Sequence, residues 1–492
     1  MNKVVLTTKY LAPRIAILTL ALFHGCANHS SVKVEDLNLQ IPEIWQTQIP
    51  DSEKFTGKWW EIFKDDELEI FILDFQKNSP DLRSIIDNKN MAYQSSKING
   101  SGIFPYINGS VSADTSVQNL SGFGVLGSLL DTDTGEGDSS SQTSESSNEV
   151  ISFGNTTAGL GLSLQWELDI WGRLLNGRKA AQKNYEAISY DLSYLGFSTV
   201  IRATQSYFQA VEAYGQMMIA QDSYDSFLEI RDLVKDRYER GLRSSLDYRL
   251  AETSVSTSKV LIEVRQLQLR SLNRRLEILS GKYPKGDIVT GKTLPVSLPN
   301  IESVIPAELL IRRPDIKSLF LKTESEGFLL AQSKRNLFPG ISLNSRAGTS
   351  AQKLEDIFND DYGIWSMGFS LTAPIFNAGK LRAAAKLQES AQRKSKKELL
   401  KGLLNAFSEV EQLLELDTSL LIQQEAINVA VRQSSDAYNL SKERYDKGVT
   451  TLESVLNTQR QYNDIRSQYL MLSRQRIENR LSLILALGGE TN

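Results

Sequence analysis

The sequence predicts an α+β membrane protein that is internally duplicated, with four membrane-spanning β-strands per chain and long α-helical hairpins. Two observations carry this prediction. Short motifs recur at fixed offsets along the 492 residues, and in each copy alternating strands precede very long helical stretches without proline. The chain is 41% hydrophobic and 23% charged, an ordinary composition that excludes a disordered protein. Its formal net charge of -4 argues against a nucleic-acid partner.

The N-terminus has the pattern of a secretory signal peptide over residues 1–25. Basic residues precede a short apolar run at residues 15–23, which ends at Gly25 and Cys26. Gly25-Cys26 resembles a bacterial lipobox, in which the thiol is acylated and becomes the mature N-terminus; a plain thiol is the alternative. Ala27 in the next position, rather than Asp, favours the outer membrane. We therefore predict a lipid-anchored segment over residues 26–60.

The repeat is visible in short matches. Pro80-Asp81 matches Pro314-Asp315 at an offset of 234, and Gly241 matches Gly448 at an offset of 207. The difference of 27 residues is extra chain in the first copy, within a long loop at residues 117–158 that is rich in Asp, Ser, Thr and Gly. The predicted organisation is a first repeat at 61–281, a linker at 282–306, a second repeat at 307–488 and a tail at 489–492.

Each copy contains a predicted pair of strands. In residues 160–170 the apolar side chains occupy alternate positions, and residues 365–375 repeat the pattern; the preceding strands lie near 107–115 and 341–347. One apolar and one polar face suit a transmembrane barrel, although a soluble sheet would look similar. Four strands cannot close, and an open edge in lipid leaves backbone groups unsatisfied. Membrane insertion would therefore require other subunits.

After each strand pair come two long predicted helices, at residues 176–240 and 246–280 and again at 381–447 and 452–487. At about 1.5 Å per residue the first would extend roughly 100 Å, which is too long for a compact domain. Apolar residues step by three and four along the last helix, at Tyr462, Ile465, Tyr469 and Leu472. This spacing is typical of a coiled-coil seam; an ordinary helical-bundle core is the alternative.

The turns between the long helices have their own pattern. Gly241 and Gly448 can adopt the left-handed conformation that ends a helix. Ser244-x-x-Asp247 and Thr450-x-x-Glu453 are capping-box patterns that would begin the next helix. Both copies thus predict a tight helical hairpin, whose turn serves capping alone or also forms a docking tip.

Motifs that suggest catalysis lack the context that they need. Gly286-x4-Gly291-Lys292-Thr293 has the spacing of a phosphate-binding loop, but prolines at 284, 295 and 299 place it in the linker rather than between a strand and a helix. The only histidines are His24 and His29, at the targeting boundary. We therefore predict no catalytic residue, no metal site, no cofactor and no enzymatic activity.

Several segments together resemble the TolC-like outer-membrane efflux family, in particular its OprM-like lipoprotein branch. They are WELDIWGRL at 166–174, RRPDI at 312–316, LFP at 337–339, PIFNAG at 374–379 and the two hairpin turns. The resemblance implies a homotrimer, with a twelve-stranded barrel in the outer membrane and an α-helical coiled-coil tunnel across the periplasm. It also implies a passive exit duct for small molecules such as drugs, driven by an inner-membrane pump of the resistance-nodulation-division class through a periplasmic adaptor.

The resemblance also assigns roles to residues. The adaptor-contact tips would be formed by Arg237, Tyr238, Gly241, Leu242, Arg444, Tyr445, Gly448 and Val449. The periplasmic gate would be formed by Asp247, Glu453, Asn457 and Arg460. Three copies of Glu453 near one axis would repel one another unless Arg460 or a cation bridged them. A solvated helix face is the alternative interpretation of the gate residues.

Two other functions fit parts of the pattern. The outer-membrane component of a one-step (type I) protein secretion system would share the channel architecture. A non-conducting coiled-coil structural protein of the envelope would share the long helices but would neither form a pore nor expose the 131–149 part of the loop outside the cell.

Overall fold

A computed structural model of the chain describes residues 41–46, 58–119, 152–295, 298 and 305–488. The predicted signal peptide, Cys26, most of the 117–158 loop and the 489–492 tail lie outside these residues. The described chain divides into two compact units. One unit draws on the described residues within Met1–Ser96, Ala180–Gly327 and Ser390–Asn492, and the other on those within Lys97–Lys179 and Phe328–Glu389. Each unit contains segments of both predicted repeats.

The second unit contains one antiparallel sheet with the strand order β1-β2-β3-β4. Its strands are β1 (Tyr106–Asn119), β2 (Ser152–Leu168), β3 (Gly340–Thr349) and β4 (Gly363–Thr372). All four predicted strands are present. Strand β2 begins earlier than the alternation indicated, because its first residues pair with the end of β1 through their backbone. Strand β4 ends before Pro374, which cannot donate a ladder hydrogen bond.

The strand register places the apolar residues on one face of the sheet. Trp166 is opposite Leu343, which is opposite Phe369, and the row beside it contains Leu168, Ile341 and Leu371. The strand residues on this face include no Asp, Glu, Lys or Arg. The other face is polar, with rows of Asn, Ser, Gln and Thr side chains. The sheet thus has the two-sided character that the alternation predicted.

The helices agree closely with the predicted ranges. They are α1 (Asp66–Asn78), α2 (Pro80–Gly100), α3 (Arg173–Glu239), α4 (Ser245–Leu279), α5 (Leu309–Arg312), α6 (Pro314–Arg335), α7 (Lys380–Asp446) and α8 (Leu452–Ala486). The 67-residue helices α3 and α7 are each followed by a helix of 35 residues. In the part of the chain that is described, every helix lacks the length of apolar sequence that a membrane crossing needs.

Left-handed glycines show that the duplication extends to backbone geometry. Three pairs of glycines separated by 207 residues all have positive φ between 70° and 81°: Gly172 and Gly379, Gly241 and Gly448, and Gly281 and Gly488. Each pair lies at a helix start, a hairpin turn or a helix end. Because a side chain is strained in this conformation, glycine at both members of a pair preserves the same turn in both copies.

The largest core cluster lies in the first unit, called the helical unit from here on. Its helices α1, α3, α4 and α8 contribute Phe71, Phe75, Phe208, Leu276 and Ile477. Tyr207 of α3 is fully buried there, and its hydroxyl donates to the Asp65 carboxylate at 3.0 Å. The same hydroxyl accepts a hydrogen bond from the Gly291 N–H at 2.7 Å. Burial raises the pKa of the Tyr207 phenol above its usual range. One hydroxyl therefore attaches the linker to the cap of α1.

Replacement of Tyr207 with phenylalanine is expected to destabilise the helical unit by roughly 1–3 kcal/mol, because the partly buried Gly291 amide loses its acceptor and the Asp65 carboxylate loses a donor. The measurement is the midpoint of thermal unfolding of the purified protein. Tyr283→Phe is the matched control, since Tyr283 is exposed. Equal midpoints for both variants would contradict a structural role for the hydroxyl.

Candidate functional site

The two hairpin turns have the same backbone geometry. After α3, the Gly241 N–H donates to the Tyr238 carbonyl at 2.8 Å and the Leu242 N–H donates to the Arg237 carbonyl at 2.8 Å. After α7, Gly448 and Val449 repeat these two bonds, at 3.0 and 2.8 Å. This is the Schellman arrangement, which satisfies the last carbonyls of a helix. The two predicted turns are confirmed.

The caps that begin the second helix of each hairpin also correspond. Ser244 caps α4 by accepting from the Asp247 N–H at 3.2 Å, as predicted. The predicted Thr450 cap is wrong: Thr451 caps α8 by accepting from the Ser454 N–H at 3.3 Å. Thr451 stands 207 residues after Ser244, so the turn keeps the repeat offset. Both connections, at residues 240–244 and 447–451, therefore have the same length of five residues.

The predicted tip residues differ in how they meet the solvent. Leu242 and Val449 are 70% and 73% exposed, so each turn presents one bare apolar side chain. Tyr238 is also exposed and stacks on Tyr248, with ring centroids 5.7 Å apart. Tyr445 is only 2% exposed and belongs to a core cluster. The tip surface is thus formed by the turns, while Tyr445 lies beneath it.

Tyr445 joins the ends of the two hairpins. The Arg243 guanidinium lies 4.6 Å from its ring centroid and that of Arg237 lies 5.4 Å away, which are cation–π distances. Arg237 also approaches Asp446 at 3.5 Å. Burial raises the pKa of the Tyr445 phenol, although the two arginines oppose the shift. Arg237 at the end of α3 and Arg243 in the first turn therefore cover Tyr445 near the end of α7.

The predicted gate residues of α8 share one exposed face. Glu453, Asn457 and Arg460 are all exposed and stand at spacings of four and three, which aligns them along a helix. Arg460 donates to the Asn457 side-chain oxygen at 3.0 Å and to the Leu456 carbonyl at 3.2 Å. No ion pair between Arg460 and Glu453 is present in the described residues. Asp247, on α4, is partly buried.

The segment with phosphate-loop spacing is bonded within the chain. The buried Glu277 carboxylate accepts from the N–H groups of Gly286 at 2.6 Å and Asp287 at 2.8 Å. The Gly291 N–H is bonded to Tyr207. Three backbone amides of this segment are therefore engaged by the protein's own groups.

Sequence reasoning missed two side chains, one at the first hairpin turn and one in the sheet. Arg243 has no basic counterpart in the second copy, where Thr450 stands at the same offset, and this asymmetry was the available signal. Among the described residues of strands β1–β4, Arg346 is the one cation. It lies on the polar face of the sheet. A charge count along the polar positions of the strands would have found it.

A four-stranded antiparallel sheet combined with two long helical hairpins is the fold of outer-membrane channel proteins. The structure is similar to that of the outer-membrane channel OprN, with a TM-score of 0.77 and 19% sequence identity over 94% of this chain and 99% of that chain. The family model for outer membrane efflux proteins matches residues 72–282 and 305–489. The chain therefore belongs to the outer membrane efflux protein family.

Two relatives are similar over most of their length. The pyoverdine export outer membrane protein OpmQ of Pseudomonas putida is 27% identical over 459 residues, which cover 92% of this chain and 93% of the relative. The probable outer membrane lipoprotein SilC of Salmonella typhimurium is 28% identical over 335 residues, which cover 67% of this chain and 72% of the relative. The predicted family and outer-membrane location are confirmed.

Proposed function

We propose that this outer membrane efflux protein is the exit channel of a tripartite system, a passive duct for small molecules that works as a homotrimer with a periplasmic adaptor and an inner-membrane pump. The observation that carries the proposal is the sheet. Its apolar face has no charged strand residue, and its two outer strands, β1 and β4, each pair on one side only. Three copies joined edge to edge would form twelve strands and leave no unpaired backbone in lipid.

The hairpin turns are the proposed adaptor contact. Leu242, Val449 and Tyr238 form the apolar surface, while Gly241 and Gly448 set the turn, and Arg237 and Tyr445 hold the two hairpins together beneath it. Leu242 and Val449 extend into solvent at the ends of the hairpins, where an apolar surface of the adaptor would cover them. Arg444, which is exposed beside the second turn, completes the contact.

The exposed face of α8 is the proposed gate. Glu453, Asn457 and Arg460 would line the duct in each of three copies, with Asp247 at the start of α4. Because Arg460 bonds to Asn457 within one chain, three Glu453 carboxylates near one axis would repel one another. The pump is proposed to be of the resistance-nodulation-division class, and Cys26 is the proposed lipid attachment site.

The channel proposal is tested with the full-length protein purified in detergent and inserted into planar bilayers. We expect a native mass of three chains and discrete conductance steps. In cells, deletion should raise the accumulation of exported compounds, and the wild-type chain should restore export. A monomer, or silence in bilayers at every applied voltage, would contradict the proposal and favour a non-conducting envelope protein.

A further inference from the structure

One cationic side chain, that of Arg346, lines an open cavity at the sheet. The cavity has a volume of 560 Å³ and is lined on its polar side by Asn108, Ser163, Gln165, Asn344, Arg346 and Ser366. Arg346 lies on β3, with Ser163 opposite on β2 and Ser366 opposite on β4. Its immediate neighbours across the sheet are therefore hydroxyls, which leave the positive charge uncompensated.

The guanidinium of Arg346 has room because of a glycine. A Cβ atom built at Gly161 would lie 3.8 Å from both Nε and Nη2 of Arg346. The Arg346 side chain therefore lies over β2 beside Gly161, with the Ser110 hydroxyl as the nearest other side-chain group, 3.0 Å from that Cβ position. The exposed guanidinium has no hydrogen bond or ion pair to another described residue, so its donors face the cavity.

The carboxylates of the same face are too distant to neutralise this charge. Glu167 is four residues farther along β2 than Ser163, or about 13 Å at about 3.3 Å per residue. It is also engaged by Arg173, at 3.1 and 2.5 Å. Asp114 lies opposite Thr157, about 20 Å along the strand from the Arg346 row. Both distances exceed the Debye length of about 8 Å in physiological salt.

We propose that Arg346 is an anion-binding and selectivity-determining residue of the strand region, which favours exported molecules that carry a carboxylate or phosphate. The proposal rests on the trimeric channel proposed above, in which three copies of Arg346 would form a ring on the inner face. A planar guanidinium fork matches carboxylate and phosphate oxygens. A ring of one sign of charge in a confined space concentrates ions of the opposite sign.

The test is the reversal potential of purified full-length channels in planar bilayers under a potassium chloride gradient. Arg346→Glu is expected to lower the ratio of anion to cation permeability on the order of tenfold, because three charges are reversed. Arg346→Gln should give a smaller shift in the same direction, and Arg346→Lys should stay close to wild type. Block of the chloride current by added potassium citrate should weaken in the same order.

Lys353→Glu is the matched control, since Lys353 is an exposed cation on the connection between β3 and β4. We expect its permeability ratio to equal that of wild type. An unchanged ratio in Arg346→Glu, or an equal shift in Lys353→Glu, would overturn the role of Arg346. A wild-type protein that never conducts would instead contradict the proposed channel function, so the two failures are distinguishable.

Discussion

Replacing Leu242 and Val449 together with aspartate is expected to abolish export in cells and to leave the channel itself intact. Both side chains are exposed at the hairpin turns and contact no core cluster. Their replacement therefore removes the proposed apolar contact and places like charges on it, without a direct cost to folding. The measurement is accumulation of an exported compound in a deletion strain that carries the variant.

The control for this experiment keeps the position and the apolar character. Leu242→Met with Val449→Ile should export as the wild type does. Native mass and outer-membrane level of the aspartate variant should also match the wild type, because the turn glycines and caps are unchanged. Full export by the aspartate variant at normal level would show that the partner does not bind these turns.

Replacing Arg313 with methionine is expected to destabilise the helical unit by about 3 kcal/mol, the lower end for loss of one partner from a buried ion pair. The Arg313 side chain is 4% exposed and bonds Asp315 at 2.8 Å, Glu409 at 2.7 Å and the Ala486 carbonyl at 3.1 Å. Burial alone would lower the pKa of Arg313, but the two carboxylates more than offset it and the pKa is raised. The Asp315 and Glu409 carboxylates remain accessible to water, which limits the loss of stability when Arg313 is removed.

Thermal unfolding and protease resistance of the purified protein measure this effect. Arg312→Met is the control, because Arg312 lies next in sequence and forms a surface ion pair with Glu308 at 3.2 Å. Surface pairs contribute about 0–1 kcal/mol, so the control should unfold near the wild-type midpoint. Equal effects of the two substitutions would show that burial of the Arg313 network is irrelevant to stability.

The sequence predicted secondary structure best where side-chain character repeats every two residues, as in strands, or where long segments contain no proline, as in the helices. Strand alternation and long stretches without proline predicted all four strands and the four long helices, and the predicted helix ends lie within three residues of the observed ones. The start of β2 was missed because residues 152–159 are held by backbone pairing to β1 and contain small and polar side chains. Pairing of this kind leaves no apolar pattern to read.

The site was predicted less completely because it depends on contacts between distant segments. Gly241 and Gly448 could be found from local turn chemistry. The burial of Tyr445 could not be predicted, because its equivalent in the first copy, Tyr238, is exposed. The two tyrosines differ through contacts with distant residues, such as the approach of Arg237 and Arg243 to Tyr445. Thr451 was missed in favour of Thr450 because two adjacent threonines can both serve as a cap, and packing of Leu452 selects one.

The unequal environments of Tyr238 and Tyr445 have a consequence for symmetry. A trimer of this chain would present six hairpin ends in a ring, but only every second one would be chemically identical. The proposed adaptor would then meet two kinds of hairpin end, one with an exposed tyrosine stack and one whose tyrosine is covered by arginines. Such a partner would need to bind both kinds of hairpin end. The features that the two ends share are the same backbone turn and one exposed aliphatic side chain, Leu242 or Val449.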